Sequence, residues 1–184
     1  MAIKNNNDRR VLRSRSLLFK ALLALMKEMD YKSIGVKDLT DKADIARPTF
    51  YRNYESIDDI LIEEMDRRFD EYFRIIKVDV LAGNFLSASE KLFKIWKKNR
   101  ILFMAMQKAN INHKILDRFD EYALRIKKIA SGNRELSTKS LFAIHFFAGG
   151  AYMVLNNWLQ NNMETPTDEL SELLKESFEF LAAQ

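Results

Sequence analysis

The sequence predicts an all-α fold, because residues that break helices are rare and lie almost only between segments of helical periodicity. The 184 residues include two prolines and five glycines. Pro48 and Pro166 suit the first turn of a helix, where the missing N–H is not needed, and Gly83 and Gly132 separate periodic stretches. Within those stretches apolar residues recur every three or four positions, the spacing of one helix face. We therefore expect about nine helices in two domains.

The composition is that of an ordinary globular protein, with 47% apolar and 30% charged residues. No apolar run approaches the ~20 residues of a membrane span, and the polar N-terminus lacks the apolar core of a signal peptide. The chain has no cysteine, which excludes disulfides and thiolate chemistry. We therefore expect a cytoplasmic protein without a membrane partner.

Positive charge is concentrated in the N-terminal part of the chain. Residues 1–54 contain 12 Lys and Arg against 6 Asp and Glu, whereas residues 55–184 contain 18 against 20. The net charge of the whole chain is +4, so the basic excess belongs to the first segment alone. Such an asymmetry indicates a polyanionic partner for that segment.

The first helix, predicted from Asp8 to about Met29, opens with a basic arm: Arg9, Arg10, Arg13 and Arg15 lie in its first two turns. Basic residues at that end oppose the helix dipole, and a phosphate backbone would favour them. The alternative is a frayed, solvated basic end. Asp30 is expected to close this helix in the left-handed region, which aspartate tolerates better than most residues.

Residues 33–54 are predicted to form two short helices joined by a tight turn at Ala43–Ile45. Phe50 and Tyr54 are four residues apart, so they share the inward face of the second helix. The outward face carries arginines, hydroxyls and an amide, which suits the major groove of double-stranded DNA. The residues predicted to contact DNA are Arg9, Arg10, Arg13, Lys37, Arg47, Pro48, Thr49, Tyr51, Arg52 and Asn53.

The run Ala43–Tyr54, Ala-Asp-Ile-Ala-Arg-Pro-Thr-Phe-Tyr-Arg-Asn-Tyr, resembles the recognition segment of the tetracycline-repressor (TetR/AcrR) family of bacterial transcriptional regulators. The resemblance extends over about residues 8–65. It implies a three-helix helix-turn-helix domain, predicted as residues 1–55, that binds operator DNA. The chain departs from the family pattern at the turn glycine, the N-cap serine, a histidine and a phosphate-contacting lysine, which are here Asp44, Ala46, Asn53 and Ile57.

The second predicted domain, residues 56–184, is rich in large apolar side chains. Breaks at Asn99-Arg100 and at Asn110–Asn112 keep its helices short, so we expect an apolar cavity for a small-molecule effector, the alternative being a solid aromatic core. The residues predicted to line it are Trp96, Phe103, Met106, Phe119, Tyr122, Phe142, His145 and Tyr152. None is Lys or Arg, which favours a small apolar effector, a neutral or cationic aromatic or lipid-like ligand, over a multiply charged anion. For His145, a hydrogen-bonded core histidine is the other reading.

The helix predicted from Ser137 to about Asn161 is apolar almost all round, as in helices buried on every side. It contains Gly149 and Gly150, and interior glycines cost ~1 kcal/mol each relative to alanine, so a close approach of two backbones is indicated. The family resemblance implies a homodimer formed by the last two helices. The predicted interface residues are Phe146, Gly149, Gly150, Met153, Trp158, Leu173, Leu174 and Phe178.

Signatures of catalysis are missing from the sequence. His113 and His145 lie far apart without the spacing of zinc ligands, and neither a phosphate-binding glycine loop nor a nucleophile elbow occurs. We therefore expect no cofactor, no metal and no enzymatic activity. The predicted function is transcriptional repression by a homodimer at a palindromic operator. The alternatives are a regulator of the same fold controlled by a protein partner, and a helical adaptor or enzyme whose basic N-terminus is coincidental.

Overall fold

The computed structural model describes residues 9–182, with the side chains of Ser177, Phe178 and residues 180–182 outside that description. Asp8, the predicted start of the first helix, also lies outside it. The described chain forms nine α-helices and no strand, which confirms the predicted all-α fold. These helices are α1 (Arg9–Glu28), α2 (Val36–Ala43), α3 (Arg47–Asn53), α4 (Asp58–Leu81), α5 (Phe85–Lys98), α6 (Arg100–Lys108), α7 (His113–Ala130), α8 (Thr138–Gln160) and α9 (Thr167–Ala182), and a short 3₁₀ turn spans Tyr31–Ser33.

The chain divides into two compact units. The first contains the chain up to Met65 together with Ala105–Ile111, and the second contains Asp66–Met104 together with the chain from Asn112 onward. None of the helices in residues 9–182 combines the length and apolarity needed to cross a membrane.

In the first unit, α1, α2 and α3 pack against one another. Leu18, Leu22, Leu39 and Phe50 are fully buried between them, so one apolar face of each helix supplies the core. The turn between α2 and α3 depends on Asp44, whose φ of 52° and ψ of 51° are left-handed. Aspartate occupies this region more readily than most residues, and it therefore replaces the turn glycine of the resembled motif without breaking the turn.

One predicted helix boundary differs in the structure. Asp30 is extended, with φ of −65° and ψ of 140°, because α1 gives way to a 3₁₀ turn and not to a left-handed cap; the expected left-handed Asp30 was wrong. At the start of α4 the Asp59 carboxylate accepts hydrogen bonds from the backbone N–H groups of Glu55 and Ser56, at 2.9 and 2.8 Å, so the carboxylate caps this helix.

In the second unit, α5 packs on α9, and α7 packs on α8, which also contacts α9. Phe93 of α5 meets Trp158 of α8 edge to face, with ring centroids 5.3 Å apart. The α4 segment of this unit is tied to α7 by charge-assisted hydrogen bonds: Arg118 donates to both oxygens of Asp66, at 2.6 and 2.8 Å. Bidentate pairs of this kind are among the stronger polar contacts in proteins.

Candidate nucleic-acid interface and ligand cavity

The short helix α3 has one buried and one exposed side. Phe50 is fully buried and Tyr54, which follows the helix, is nearly so. On the other side Arg47, Arg52 and Tyr51 are exposed, the tyrosine to 61% of its surface. The apolar residues thus hold the helix on the core of the first unit and leave its polar face open to a partner.

Hydrogen bonds order part of this exposed face. The guanidinium of Arg52 donates to the Thr49 hydroxyl at 2.8 Å, and the Asn53 side chain donates to the Thr49 carbonyl at 2.7 Å. Arg47 makes no ion pair with another residue of the described chain. Its charge is therefore uncompensated at the start of α3, beside the exposed Pro48.

The basic arm divides into two kinds of arginine. Arg9, Arg10 and Arg13 are exposed, as is the predicted DNA contact Lys37 on α2. Arg15 is only 17% exposed, and its guanidinium pairs with Glu63 of α4 at 2.5 Å. Arg15 therefore joins two helices of the first unit, a role that its position in the basic run did not reveal.

Glu63 also accepts a hydrogen bond from the Tyr54 hydroxyl at 2.5 Å. Burial and, after it, this bond to a carboxylate raise the pKa of Tyr54 far above its ordinary value, while Arg15 opposes the shift. The carboxylate thus links the residue that ends α3 to α1 and α4. This linkage orients the exposed face of α3 on its scaffold.

The second unit contains an apolar cavity of about 280 Å³. Helices α4, α5, α7 and α8 form its walls. Its lining residues are Tyr72, Ile76, Val80, Leu81, Phe85, Leu92, Phe119, Tyr122, Ala123, Ile126, Lys127, Ala130, Lys139, Ser140, Ala143, Ile144, Phe147, Ala148 and Ala151.

Two of the eight predicted pocket residues, Phe119 and Tyr122, line this cavity. Tyr122 presents its ring there, while its hydroxyl donates to Asp70 of α4. Burial, and then this hydrogen bond, raise the pKa of Tyr122 well above its ordinary value. Trp96 and Phe103 are stacked on each other, and with Phe119 they line a separate cavity of about 10 Å³, which is too small for an organic ligand.

The other four predicted pocket residues lie elsewhere. Met106 is fully buried and belongs to the first unit. Phe142 is 71% exposed, and Tyr152 is buried with its hydroxyl accepting from the Asn112 side chain at 3.0 Å. His145 is exposed and pairs with Asp120 of α7, so it is neither a core histidine nor a lining residue, because its side of α8 faces outward.

The cavity also carries charge that the predicted set lacked. Lys127 and Lys139 are part of its lining, which includes no Asp or Glu. The expectation of a neutral or cationic ligand depended on the absence of Lys and Arg, and this premise does not apply to the cavity. No cluster of three His, Asp or Glu side chains suited to a metal occurs within residues 9–182.

A stripe of apolar residues on α8 is exposed. Phe146 and Met153, both predicted interface residues, are 77% and 60% exposed, and Leu173 of α9 is 48% exposed. A Cβ atom added to Gly149 or Gly150 would meet no atom within 4 Å, so the space beside these glycines is open.

The other residues predicted for the dimer interface do not belong to this exposed stripe. Trp158 and Leu174 are each 3% exposed, because they pack inside the second unit, and they have no surface left for a partner. The side chain of Phe178 lies outside the described residues.

The fold has clear counterparts among solved structures. The chain aligns with Lin0861 from Listeria innocua over 98% of its length and 96% of that chain, with a TM-score of 0.74 and 24% identity. It aligns with the dihydroxyacetone kinase operon activator DhaS over 93% and 95% of the two chains (TM-score 0.61, 17% identity). It also aligns with the fatty acid degradation regulator FadR from Bacillus halodurans over 90% and 94% (TM-score 0.57, 16% identity). At these identities the likeness concerns the fold.

Sequence comparison defines the class of protein. Residues 83–179, more than half of the chain, match the model of a transcriptional regulator C-terminal region of TetR type. The chain belongs to the TetR family of transcriptional regulators, as the motif at residues 43–54 indicated, and this family is one of regulators and not of enzymes.

One curated relative is YxbF of Bacillus subtilis (strain 168), described as an uncharacterized HTH-type transcriptional regulator. It is 34% identical over 90 residues, which are 48% of this chain and 24% of that protein. The chain thus matches about a quarter of the length of this relative.

Proposed function

We propose that this protein is a transcriptional repressor that binds a palindromic operator as a homodimer and is released by a small molecule bound in the second unit. The observation that carries the proposal is the exposed polar face of α3 on a packed three-helix scaffold. Arginine, threonine and asparagine are side chains that read base edges in the major groove. The exposed arginines of α1 supply charge for the phosphate backbone.

The homodimer is supported by the exposed apolar stripe on α8 and α9. Phe146, Met153 and Leu173 are large side chains whose exposure in a single chain is unfavourable. Burying them against a second copy by two-fold symmetry removes this apolar surface from water. A dimer whose recognition helices are about one DNA turn apart, ~34 Å, would read two symmetric half-sites.

Control by a small molecule is supported by the cavity of about 280 Å³ in the second unit. This volume is near the lower end of the range of small-molecule sites, and it favours a small effector over a protein partner as the controlling molecule. A ligand releases DNA only if it binds the DNA-incompetent form more tightly. The effector is therefore expected to lower operator affinity and not to compete at α3.

Fluorescence anisotropy with the DNA upstream of the protein's own gene tests the proposal. The wild-type protein should bind that DNA more tightly than a random duplex, and the double variant Arg47→Ala/Arg52→Ala should lose the preference. Lys97→Ala, an exposed lysine of the second unit, serves as the matched control and should bind as the wild type does. Equal binding of both duplexes by the wild-type protein would contradict regulation through this operator.

A reporter gene fused to the same upstream DNA distinguishes repression from activation. Removing the regulator should raise expression from this fusion. A fall in expression would identify an activator with the same DNA-binding mode.

A further inference from the structure

The two ends of the cavity in the second unit differ in the side chains that line them. Helices α7 and α8 pack together and are joined by residues 131–137 alone, a link short enough to make them an antiparallel hairpin. The α7 part of the lining runs from Phe119 to Ala130, and the α8 part runs back from Lys139 to Ala151. One end of the cavity is therefore apolar, and the other lies at the turn of the hairpin.

The turn end of the cavity is basic. Lys127 and Lys139 both belong to the lining there, and both are exposed. Neither forms an ion pair or side-chain hydrogen bond with any residue of the described chain, and no carboxylate lines the cavity. Two uncompensated ammonium groups at the mouth of an apolar site favour a ligand with a negative charge at one end.

The part of the lining that α4 contributes also contains a polar group, the hydroxyl of Tyr72. Tyr72 is 8% exposed and lines the cavity, and its hydroxyl has no hydrogen-bond partner within residues 9–182. This hydroxyl is therefore free to form a hydrogen bond with a ligand or a water molecule.

The volume limits the size of the ligand. A cavity of 280 Å³ holds about nine groups the size of water, each taking up ~30 Å³. A ligand enclosed here therefore has about ten nonhydrogen atoms, and its charged group can remain at the mouth, where the lysines stay hydrated.

We propose that this cavity binds a small amphipathic carboxylate, an unbranched alkyl or arylalkyl monoanion, with its carboxylate between Lys127 and Lys139 and its apolar chain directed towards Phe119 and Ala151. The proposed binding mode is argued from the cavity alone, whereas the role of the carboxylate as the effector rests on the proposed function. It assigns to the regulator a singly charged anion, whereas the sequence favoured a neutral or cationic ligand.

Isothermal titration calorimetry on the full chain compares three probes of equal length: octanoate, octanol and octylamine. Octanoate should bind most tightly, by roughly tenfold over octanol, since each of the two partly exposed ion pairs contributes about a threefold gain. Octylamine should bind most weakly, because its charge repels both lysines. Added salt should weaken octanoate binding and leave octanol binding nearly unchanged.

Variants locate the site. Lys127→Met/Lys139→Met should weaken octanoate binding roughly tenfold and leave octanol binding unchanged. Lys128→Met is the matched control, because this exposed neighbour on α7 is not part of the lining, and it should behave as the wild type does. Ala143→Phe, which fills the cavity, should abolish binding of octanoate and octanol, with circular dichroism confirming that the helices are retained.

The proposal is overturned if octylamine or octanol binds as tightly as octanoate, if the double lysine variant binds octanoate normally, or if none of the probes binds at millimolar concentration. Operator binding is then measured separately. Lysine-dependent octanoate binding without any loss of operator affinity would contradict effector control and leave the carboxylate site intact. Release of DNA by octylamine would support effector control and contradict the proposed ligand class.

Discussion

At the scale of single residues, the arginines of the basic N-terminal segment differ in solvent exposure and in whether they form ion pairs or hydrogen bonds. Arg47 is exposed and has no ion-pair partner within the described chain, whereas Arg52 is held along α3 by Thr49. Arg15 is largely buried against Glu63. An arginine already paired in the folded protein stabilises it, and an unpaired one remains available for phosphate or base contacts.

Arg47→Ala is expected to relax base specificity at one symmetric pair of operator positions. A bidentate arginine–guanine contact contributes about 1–3 kcal/mol of discrimination, so the variant should bind operators altered at those positions about as well as the original. Affinities for a panel of single-position operator variants give the measurement. An equal loss of affinity on operator and random DNA would assign Arg47 to a phosphate instead.

Arg13→Ala and Arg15→Ala should affect different properties of the protein: the first should weaken DNA binding, and the second should lower stability. Arg13→Ala should leave the free energy of unfolding nearly unchanged and reduce the salt slope of operator binding by about 1.8, since one phosphate contact of about 0.9 is lost in each subunit of the dimer. Arg15→Ala should lower the unfolding free energy, because it breaks the pair with Glu63. Urea unfolding and a salt titration of DNA binding separate the two. An unchanged slope in Arg13→Ala would place this part of the arm off the DNA.

At the scale of secondary-structure elements, polar contacts fix the helices that carry function. The junction between α3 and α4 is closed by the Asp59 cap and by the bond from Tyr54 to Glu63. In the second unit, Arg118 joins α7 to Asp66 of α4. Tyr122 joins the same two helices through Asp70 while its ring forms part of the cavity wall. A ligand that displaces this ring would therefore act on the α4–α7 contact.

Tyr54→Phe is expected to lower the free energy of unfolding by about 1 kcal/mol at neutral pH, the usual net contribution of one hydrogen bond. The pKa of Tyr54 is raised in the folded state, first by burial and then by Glu63. Folded protein therefore keeps a proton that the unfolded chain releases near pH 10, and wild-type stability falls as the pH rises beyond that value.

The stability difference between wild type and Tyr54→Phe should consequently narrow above about pH 10. Urea unfolding at pH 7, 9 and 10.5 measures it. Tyr51→Phe, which removes a hydroxyl from the exposed side of α3, should match the wild type at neutral pH. A constant difference at all three values would contradict the link between the Tyr54 proton and stability.

At the scale of the whole molecule, a single chain leaves the apolar stripe on α8 exposed to water. Phe142, Phe146, Gly150 and Met153 follow one another at helical spacing and are all exposed. One side of this largely apolar helix is therefore not covered by its own chain.

Gly150→Leu is expected to stabilise the isolated chain and weaken the dimer. A Cβ atom added at this position meets no atom within 4 Å in the protomer, and leucine has a helix propensity ~1 kcal/mol better than glycine. In a symmetric interface the added side chain is present twice, and overpacking costs about 1–3 kcal/mol.

Sedimentation equilibrium and thermal unfolding together test this prediction. Lys97→Leu on α5 provides a control for an added exposed leucine and should leave the association unchanged. A wild-type protein that sediments as a monomer at micromolar concentration would contradict both the dimer and the two-half-site operator.

The helices, the turn at Asp44 and the exposed face of α3 could be predicted from the chain because they depend on local information: periodicity, capping residues and a short motif. Phe50 and Tyr54 are four residues apart, and this spacing alone places them on one face. The roles assigned to the outward residues stay predictions.

The lining of the cavity and the division of the basic arm required the packed structure. Spacing along a helix shows which residues share a face, but it does not show how far that helix is rotated against its neighbours. Lys127 and Lys139 line the cavity, and His145 and Phe142 do not, because of how α7 and α8 are rotated in their contact. Arg15 finds Glu63 only when α1 and α4 come together, since a contact between residues distant in sequence is made by the packing of whole helices.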